Sequence, residues 1–317
     1  MTGPRVCVVV VNYCTPKLTQ ACLASVARVT DPDATDIIVV DNASSPSCLE
    51  ELERAAPGVQ VIASSRNRGF GGGCNLGASF ARGEYLFFLN SDATLTEDTP
   101  GILSRFLDAH PEAACAGSAL ADPDGTPQHA AARFPTALRV FAGRDLFAAR
   151  LKRLSPWLSE RLAFFHDPEQ FDAPAKVDWV VGAALMVRRK DFQNLGGFDE
   201  SIFLYGEEME LQKRLALRGR LVYFIPGTSV LHGEAASSGG EDSPQRLARI
   251  VAGHRRYYVL HNGLISAFAL CCAEVAGSLA KCVVWGLLNL LRPSPDNKRR
   301  LRWHTHYLRA LVTPRSH

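Results

Sequence analysis

The sequence predicts an α/β domain built on a mostly parallel sheet, followed by a C-terminal helical segment of different character. Three observations carry that reading. Short β-branched runs alternate with helical patterns from Val6 to about Asp124. The same pattern resumes between residues 177 and 232 after a proline-rich interval. From about Gln245 the chain turns apolar, with basic flanks.

The elements can be justified in order. "VCVVVVNY" (6–13) is a continuous apolar run, as expected of a strand covered on both faces. Pro16 suits the first turn of a helix on which Leu18, Cys22, Leu23, Val26 and Val29 recur at helical spacing. "DIIVVDNAS" (36–44) predicts the second strand, with a short helix near 47–56, and "VQVIAS" (59–64) the third. The glycine stretch "RGFGGGCN" (68–75) and a helical piece follow. "YLFFLNSD" (85–92) predicts the fourth strand, with a helix from Glu97 to His110. Prolines 127, 135, 156, 168 and 174 break the interval 125–176, apart from a helical piece around 137–154. "VDWVVGAALMVRR" (177–189), "GGFDESIFLYGEEMELQKRLALRG" (196–219) and the strand-like "LVYFIPGTSVLH" (221–232) restore the pattern.

Of 317 residues, 47% are apolar and 21% charged, ample for a packed core. A formal charge of +3 is too small to indicate nucleic acid. The nine cysteines form no C-x-x-C pair, and no histidine stands at zinc-like spacing. They are expected to be reduced thiols in a cytosolic compartment. No secretory signal is expected, because "VCVVVV" is too short for one.

Ligands of open α/β sheets bind outside the carboxyl ends of the strands. That rule selects Asn12-Tyr13, Asp41-Asn42, the glycine stretch and Asn90-Ser91-Asp92. The glycines do not form the dinucleotide fingerprint, since position 74 is Cys and position 76 is Leu, and no Gly-Lys-Ser/Thr follows. They could still let backbone approach a nucleotide.

Six blocks, "VVVVNY", "VVDNAS", "NRGFGGGCNLGA", "LNSDA", "GGFDESIFLYGEEMEL" and "VLHGEAAS", resemble family 2 glycosyltransferases, nearest the bacterial rhamnosyltransferase-like branch. The likeness spans roughly residues 5–235. It implies a GT-A fold, a nucleotide-sugar donor, a divalent metal (Mg²⁺ or Mn²⁺) and inversion at the anomeric carbon. The chain then divides into a catalytic domain, 1–240, and a C-terminal helical segment, 241–317. The donor-binding half would be about 1–125 and the acceptor side about 175–240.

By resemblance, Asn12, Asp41, Asn67, Arg68, Gly71, Asn75, Asn90 and Asp92 hold the donor. A carboxylate such as Asp41 can accept from a pyrimidine ring N–H or ribose hydroxyls. Asp92 matches the last acid of the family's Asp-x-Asp metal motif. Asn90 stands where many members have the first; His232 ends the last strand-like run where, by the resemblance, the family places a histidine that can reach the metal or diphosphate. Glu208 is the expected base and Glu207 its orienting partner, although the family usually has Glu-Asp here. Trp179, Asp199 and Tyr205 are expected on the acceptor side, with Asp199 the fallback base. Without the resemblance, the bland readings are a helix-capping acid pair, a structural histidine and core aromatics.

The segment 264–291 is mostly apolar, interrupted by Glu274 and Lys281, and it is flanked by Arg255, Arg256 and the 298–302 basic run. It suits a helix or hairpin lying in a membrane interface. A buried helix and a span remain the alternatives. The resulting expectation is rhamnosyl transfer from dTDP-rhamnose to a glycan or lipid-linked acceptor at the inner face of the cell membrane. An inactive nucleotide-sugar-binding scaffold and a sugar nucleotidyltransferase are the rivals.

Overall fold

A computed structural model describes residues 5–55, 58–142, 155–233 and 243–313. The chain forms two compact units, Met1–Ala132 with His166–Ser237, and Arg133–Phe165 with Ser238–His317.

The first unit opens with β1 (Val6–Asn12), α1 (Pro16–Val29), β2 (Thr35–Asp41), α2 (Pro46–Ala55), β3 (Gln60–Ala63), α3 (Gly69–Phe80) and β4 (Tyr85–Asn90). It continues through β5 (Ala93–Leu95), α4 (Thr99–Ala109), β6 (Ala113–Ala121), β7 (Pro127–Gln128) and β8 (Ala131–Ala132). In the second unit lie α5 (Ala137–Ala142) and α6 (Pro156–Leu162). The first unit resumes with β9 (Ala175–Val177), β10 (Trp179–Val180), β11 (Ala184–Arg188), α7 (Arg189–Leu195), α8 (Glu207–Leu217) and β12 (Leu221–His232). The second unit ends with α9 (Pro244–Leu291) and α10 (Pro295–Val312).

The main sheet runs β3-β2-β1-β4-β11-β6-β12-β5. Strands β3, β2, β1 and β4 are parallel, and β12 is parallel to β6. On this path β11 and β5 oppose their neighbours. The expected α/β architecture is therefore present, with a mixed second half. β1 is buried from Val6 to Val10, as its unbroken apolar run requires. Burial, and then the charge of Asp36, pushes the Cys7 thiol up to about 12, so it behaves as a core hydrophobe. All nine cysteines are free.

Two differences from the sequence reading stand out. The segment 177–189 is divided among β9, β10 and β11, with Gly182 in the loop before β11. The alanine-rich β6 was not anticipated, because alanine has weak strand preference. It is a strand because β11 and β12 flank it and bury it.

The helical piece expected at 137–154 is described only to Ala142; its remainder lies outside the described residues. α5 packs on α9, where a Cβ at Gly277 would meet the Phe141 carbonyl oxygen. In α9 a non-helical Gly263 (φ 71°, ψ 167°) separates two helical lengths. Glu274 and Lys281, the charges that interrupt the apolar stretch, are each only 5% exposed. Glu274 accepts hydrogen bonds from the Tyr307 hydroxyl and His254 Nδ1, the latter at 3.2 Å. The outer side of the same helix is apolar: Ile265 is 88% and Phe268 72% exposed, and Leu287, Leu290 and Leu291 are exposed too.

Candidate active site

Parallel strands bring their carboxyl ends to one edge of the sheet. Register pairs Asn12 with Asp41, and Val11 with Asn90. The buried Asn12 donates from Nδ2 to Asp41 Oδ1 at 2.7 Å and accepts from Thr19 at 2.8 Å. Asp41 Oδ2 accepts from the Ser44 amide at 3.0 Å. This acid is fixed in orientation, as a residue that reads hydrogen-bond donors on a ligand must be.

Asn42 was noted in the sequence only as Asp41's neighbour, yet it organises the next loop. Its Nδ2 donates to Asn67 Oδ1 (3.0 Å) and to the Gly69 carbonyl (2.9 Å), and its Oδ1 accepts from the Arg68 amide (2.9 Å). Asn67 also accepts from the Gly69 amide at 2.9 Å, the turn-stabilising role. Arg68 pairs with both carboxylate oxygens of Glu200, at 2.8 and 3.0 Å. Asn75 engages the Phe198 backbone in both directions, tying α3 to the 197–200 loop.

The glycine stretch is corrected in kind. It is the first turn of α3, and Gly69, Gly71, Gly72 and Gly73 are buried. A Cβ at Gly73 would stand 2.8 Å from a Val11 methyl on β1, and one at Gly71 3.0 Å from Phe198 Cβ. Gly69, at φ +74°, lies against the Phe203 carbonyl oxygen. What approaches this backbone closely is protein, so Gly71 is accounted for by packing.

At the other end of the edge, β12 closes on His232, which pairs in register with Ala93. His232 Nε2 lies 3.1 Å from Asn90 Nδ2 and 3.5 Å from Asp92 Oδ1. Asp92 and His232 could thus face one cation with an oxygen and a nitrogen ligand. Among the described residues no three His, Cys, Asp or Glu side chains converge as a metal group. The donor set fits a hard or borderline cation that takes its remaining ligands from diphosphate and water.

The acidic pair opens α8, where a helix N-terminus favours negative charge. Gln212 fixes this helix by accepting from Val180 N and donating to Val180 O, both at 2.8 Å. Glu208 packs over Gly182, whose Cβ would sit 3.3 Å from Glu208 Cβ. The next residue, Ala183, accepts from the Asn90 amide at 3.0 Å, which links the acid's seat to the end of β4. Gly206 N donates to Glu208 Oε2 at 3.1 Å.

Glu207 is buried beside Cys74 and the Gly71 backbone. Burial, and after it the charge of Glu208, holds its carboxyl well above the usual carboxylate range. Its Oε2 has no hydrogen-bond partner.

Trp179 is a correction: it is buried in the small sheet of β10 with β8, opposite Ala132, and offers no face to a sugar. Asp199 accepts from the Ser201 amide at 2.8 Å, a turn role. Tyr205 is partly exposed and holds φ 70° just before α8. Among the described residues the other non-glycine positive φ values are at Cys14 and Ala43, in the loops after β1 and β2. Such conformations cost of order 1–3 kcal/mol each and gather at functional sites.

Fixed acids and amides thus line one carboxyl edge, the place where open α/β sheets bind their ligands. The chain belongs to glycosyl transferase family 2, whose model matches residues 6–196, and its class is that of a glycosyltransferase. It is 28% identical over 270 residues to the N-acetylglucosaminyl-diphospho-decaprenol L-rhamnosyltransferase of Mycobacterium tuberculosis, covering 80% of this chain and 82% of that one. The rhamnosyltransferase WbbL of Escherichia coli is 38% identical over 56 residues, 18% of this chain and 21% of its own.

Among solved structures, the mannosyltransferase PcManGT of Pyrobaculum calidifontis, in complex with GDP-Man and Mn²⁺, superposes with a TM-score of 0.60. That match has 16% identity and covers 98% of this chain and 87% of that one. TarS 1–349 of S. aureus with UDP-GlcNAc gives a TM-score of 0.52 at 16% identity, covering 97% and 81%. These two likenesses establish the GT-A fold.

Proposed function

We propose that this enzyme transfers rhamnose, with inversion, from dTDP-rhamnose to a hydroxyl of a diphospholipid-linked glycan at the inner face of the cell membrane. The observation that carries the reading is the shared seat of Glu208, Asn90, Asp92 and His232 around the end of β4. The names of the relatives support the sugar and the kind of acceptor.

Asp41, oriented by Asn12, would accept from the donor's base or ribose. Asp92 and His232 would hold a divalent metal, which when bound offsets the charge gathering on the departing diphosphate. Glu208 would take the proton from the acceptor hydroxyl as its oxygen attacks the anomeric carbon opposite the leaving nucleotide. Burial, and after it the charge of Glu208, disfavours a second negative charge on Glu207 beside that base. The outer side of residues 264–291, where both charges are buried, together with Arg255, Arg256 and the 298–302 basic run, supports a surface lying in the headgroup region.

The test is transfer from dTDP-rhamnose to a polyprenyl-diphospho-N-acetylglucosamine, with the product's anomeric configuration read by NMR. Turnover with inversion is expected. Turnover of UDP-sugars with none of dTDP-rhamnose would reject the donor. Glu208→Gln should lower kcat by roughly 10²–10⁴-fold while calorimetric donor affinity stays within a few-fold. Wild-type turnover in that variant would remove Glu208 as the base.

A further inference from the structure

His232 is buried and both of its ring nitrogens are engaged. Nδ1 lies 3.1 Å from Gln128 Oε1, while Nε2 faces Asn90 Nδ2 and Asp92. Which nitrogen carries the proton is decided one residue further out. Gln128, on β7, donates from Nε2 to Asp122 Oδ1 at 2.7 Å and to the His232 carbonyl oxygen at 2.9 Å.

A carboxylate and a carbonyl only accept, so the amide NH₂ must face them and Oε1 must face the imidazole. Turning the amide over would set its oxygen against two acceptors. An acceptor opposite Nδ1 calls for a proton on Nδ1. In the neutral ring that leaves the lone pair on Nε2, where the Asn90 amide can donate to it. The turn that carries Asp122 is itself fixed, by Asp122 N to Thr126 O and Gly125 N to Asp122 O, each 2.8 Å.

We infer that Gln128 is a positioning residue: it holds the His232 proton on Nδ1 and so presents the Nε2 lone pair beside Asp92. Its use in catalysis rests on the metal site proposed above; the tautomer itself does not. A histidine whose outer nitrogen is fixed by a hydrogen bond is the arrangement metal-binding imidazoles commonly show.

The experiment is long-range ¹H–¹⁵N NMR of the ¹⁵N-histidine-labelled full chain, chelated free of metal, at a pH well above the ordinary imidazole range. The His232 signals are assigned by their loss in His232→Gln. Wild type should show the proton on Nδ1, and Gln128→Leu should shift His232 toward the Nε2-protonated form. Mn²⁺ affinity, read by electron paramagnetic resonance, should fall about 10–100-fold in Gln128→Leu. An Nε2-protonated ring in wild type overturns the inference whether or not the variant folds. So does a folded Gln128→Leu that keeps both tautomer and affinity. If wild type binds no Mn²⁺, the metal reading fails, and the chelated spectra still decide the tautomer.

Discussion

The two acids that open α8 are neighbours in sequence and opposites in environment. Glu208 lies partly exposed over Gly182, and Glu207 is buried with an unpartnered oxygen. Because the folded-state pKa of Glu207 is raised above its ordinary value of 4.5, the folded chain binds that proton more tightly than the unfolded one. The resulting stability is complete below 4.5 and is lost as pH rises through the folded value. Glu207→Gln places a neutral group of equal size there. Its melting temperature at neutral pH should match or exceed that of wild type. Its stability should also decline less between pH 4.5 and neutrality, as followed by thermal denaturation across pH. A large fall in melting temperature would mean that Glu207 is needed as an anion.

At the scale of elements, α3 begins at Gly69, inside the glycine stretch that the sequence reading places ahead of the helix. Glycines at 69, 71, 72 and 73 suggested a ligand cradle, but they let a helix lie close on β1 and the 198–203 loop. Gly73→Ala would press on Val11 at 2.8 Å. Overpacking costs typically 1–3 kcal/mol, offset by about 1 kcal/mol of better helix propensity. A lower melting temperature is expected, with donor affinity nearly unchanged in the folded fraction by calorimetry. Intact stability with lost donor binding would return the glycines to the ligand.

Strand β6 and the residues Gln128 and Gln212 carried no advance signal of their roles. An alanine-rich strand is made by its neighbours, and an amide's use depends on partners distant in sequence. Gln128 meets His232 across 104 positions. The strand-end polar residues, by contrast, were legible because the carboxyl-edge rule needs only strand direction.

Across the whole molecule, Glu274 and Lys281 argued in the sequence against a continuous apolar surface. They are seven residues apart, two helical turns, so they share a face, and that face is turned inward. The seven-residue spacing was readable in advance; which face would be covered was not. With the charges hidden, Ile265 and Phe268 lie on an apolar outer side. Burying a large apolar side chain is worth about 1.5–3 kcal/mol. The double variant Ile265→Glu, Phe268→Glu should therefore partition at least about tenfold less onto anionic vesicles in a flotation assay. Turnover with a short-chain soluble acceptor should stay near wild type. Unchanged partitioning would remove this face from the membrane.

By itself the sequence determined the α/β alternation, the acids and amides at strand ends and the helix-opening acid pair, since each follows from local pattern and chain direction. Only the tertiary structure decided that the glycines serve packing, that Trp179 is core, that Glu207 is buried where its charged form is disfavoured, and that Gln128 faces His232. Those properties depend on what surrounds a side chain, and residues far apart in the chain supply those surroundings.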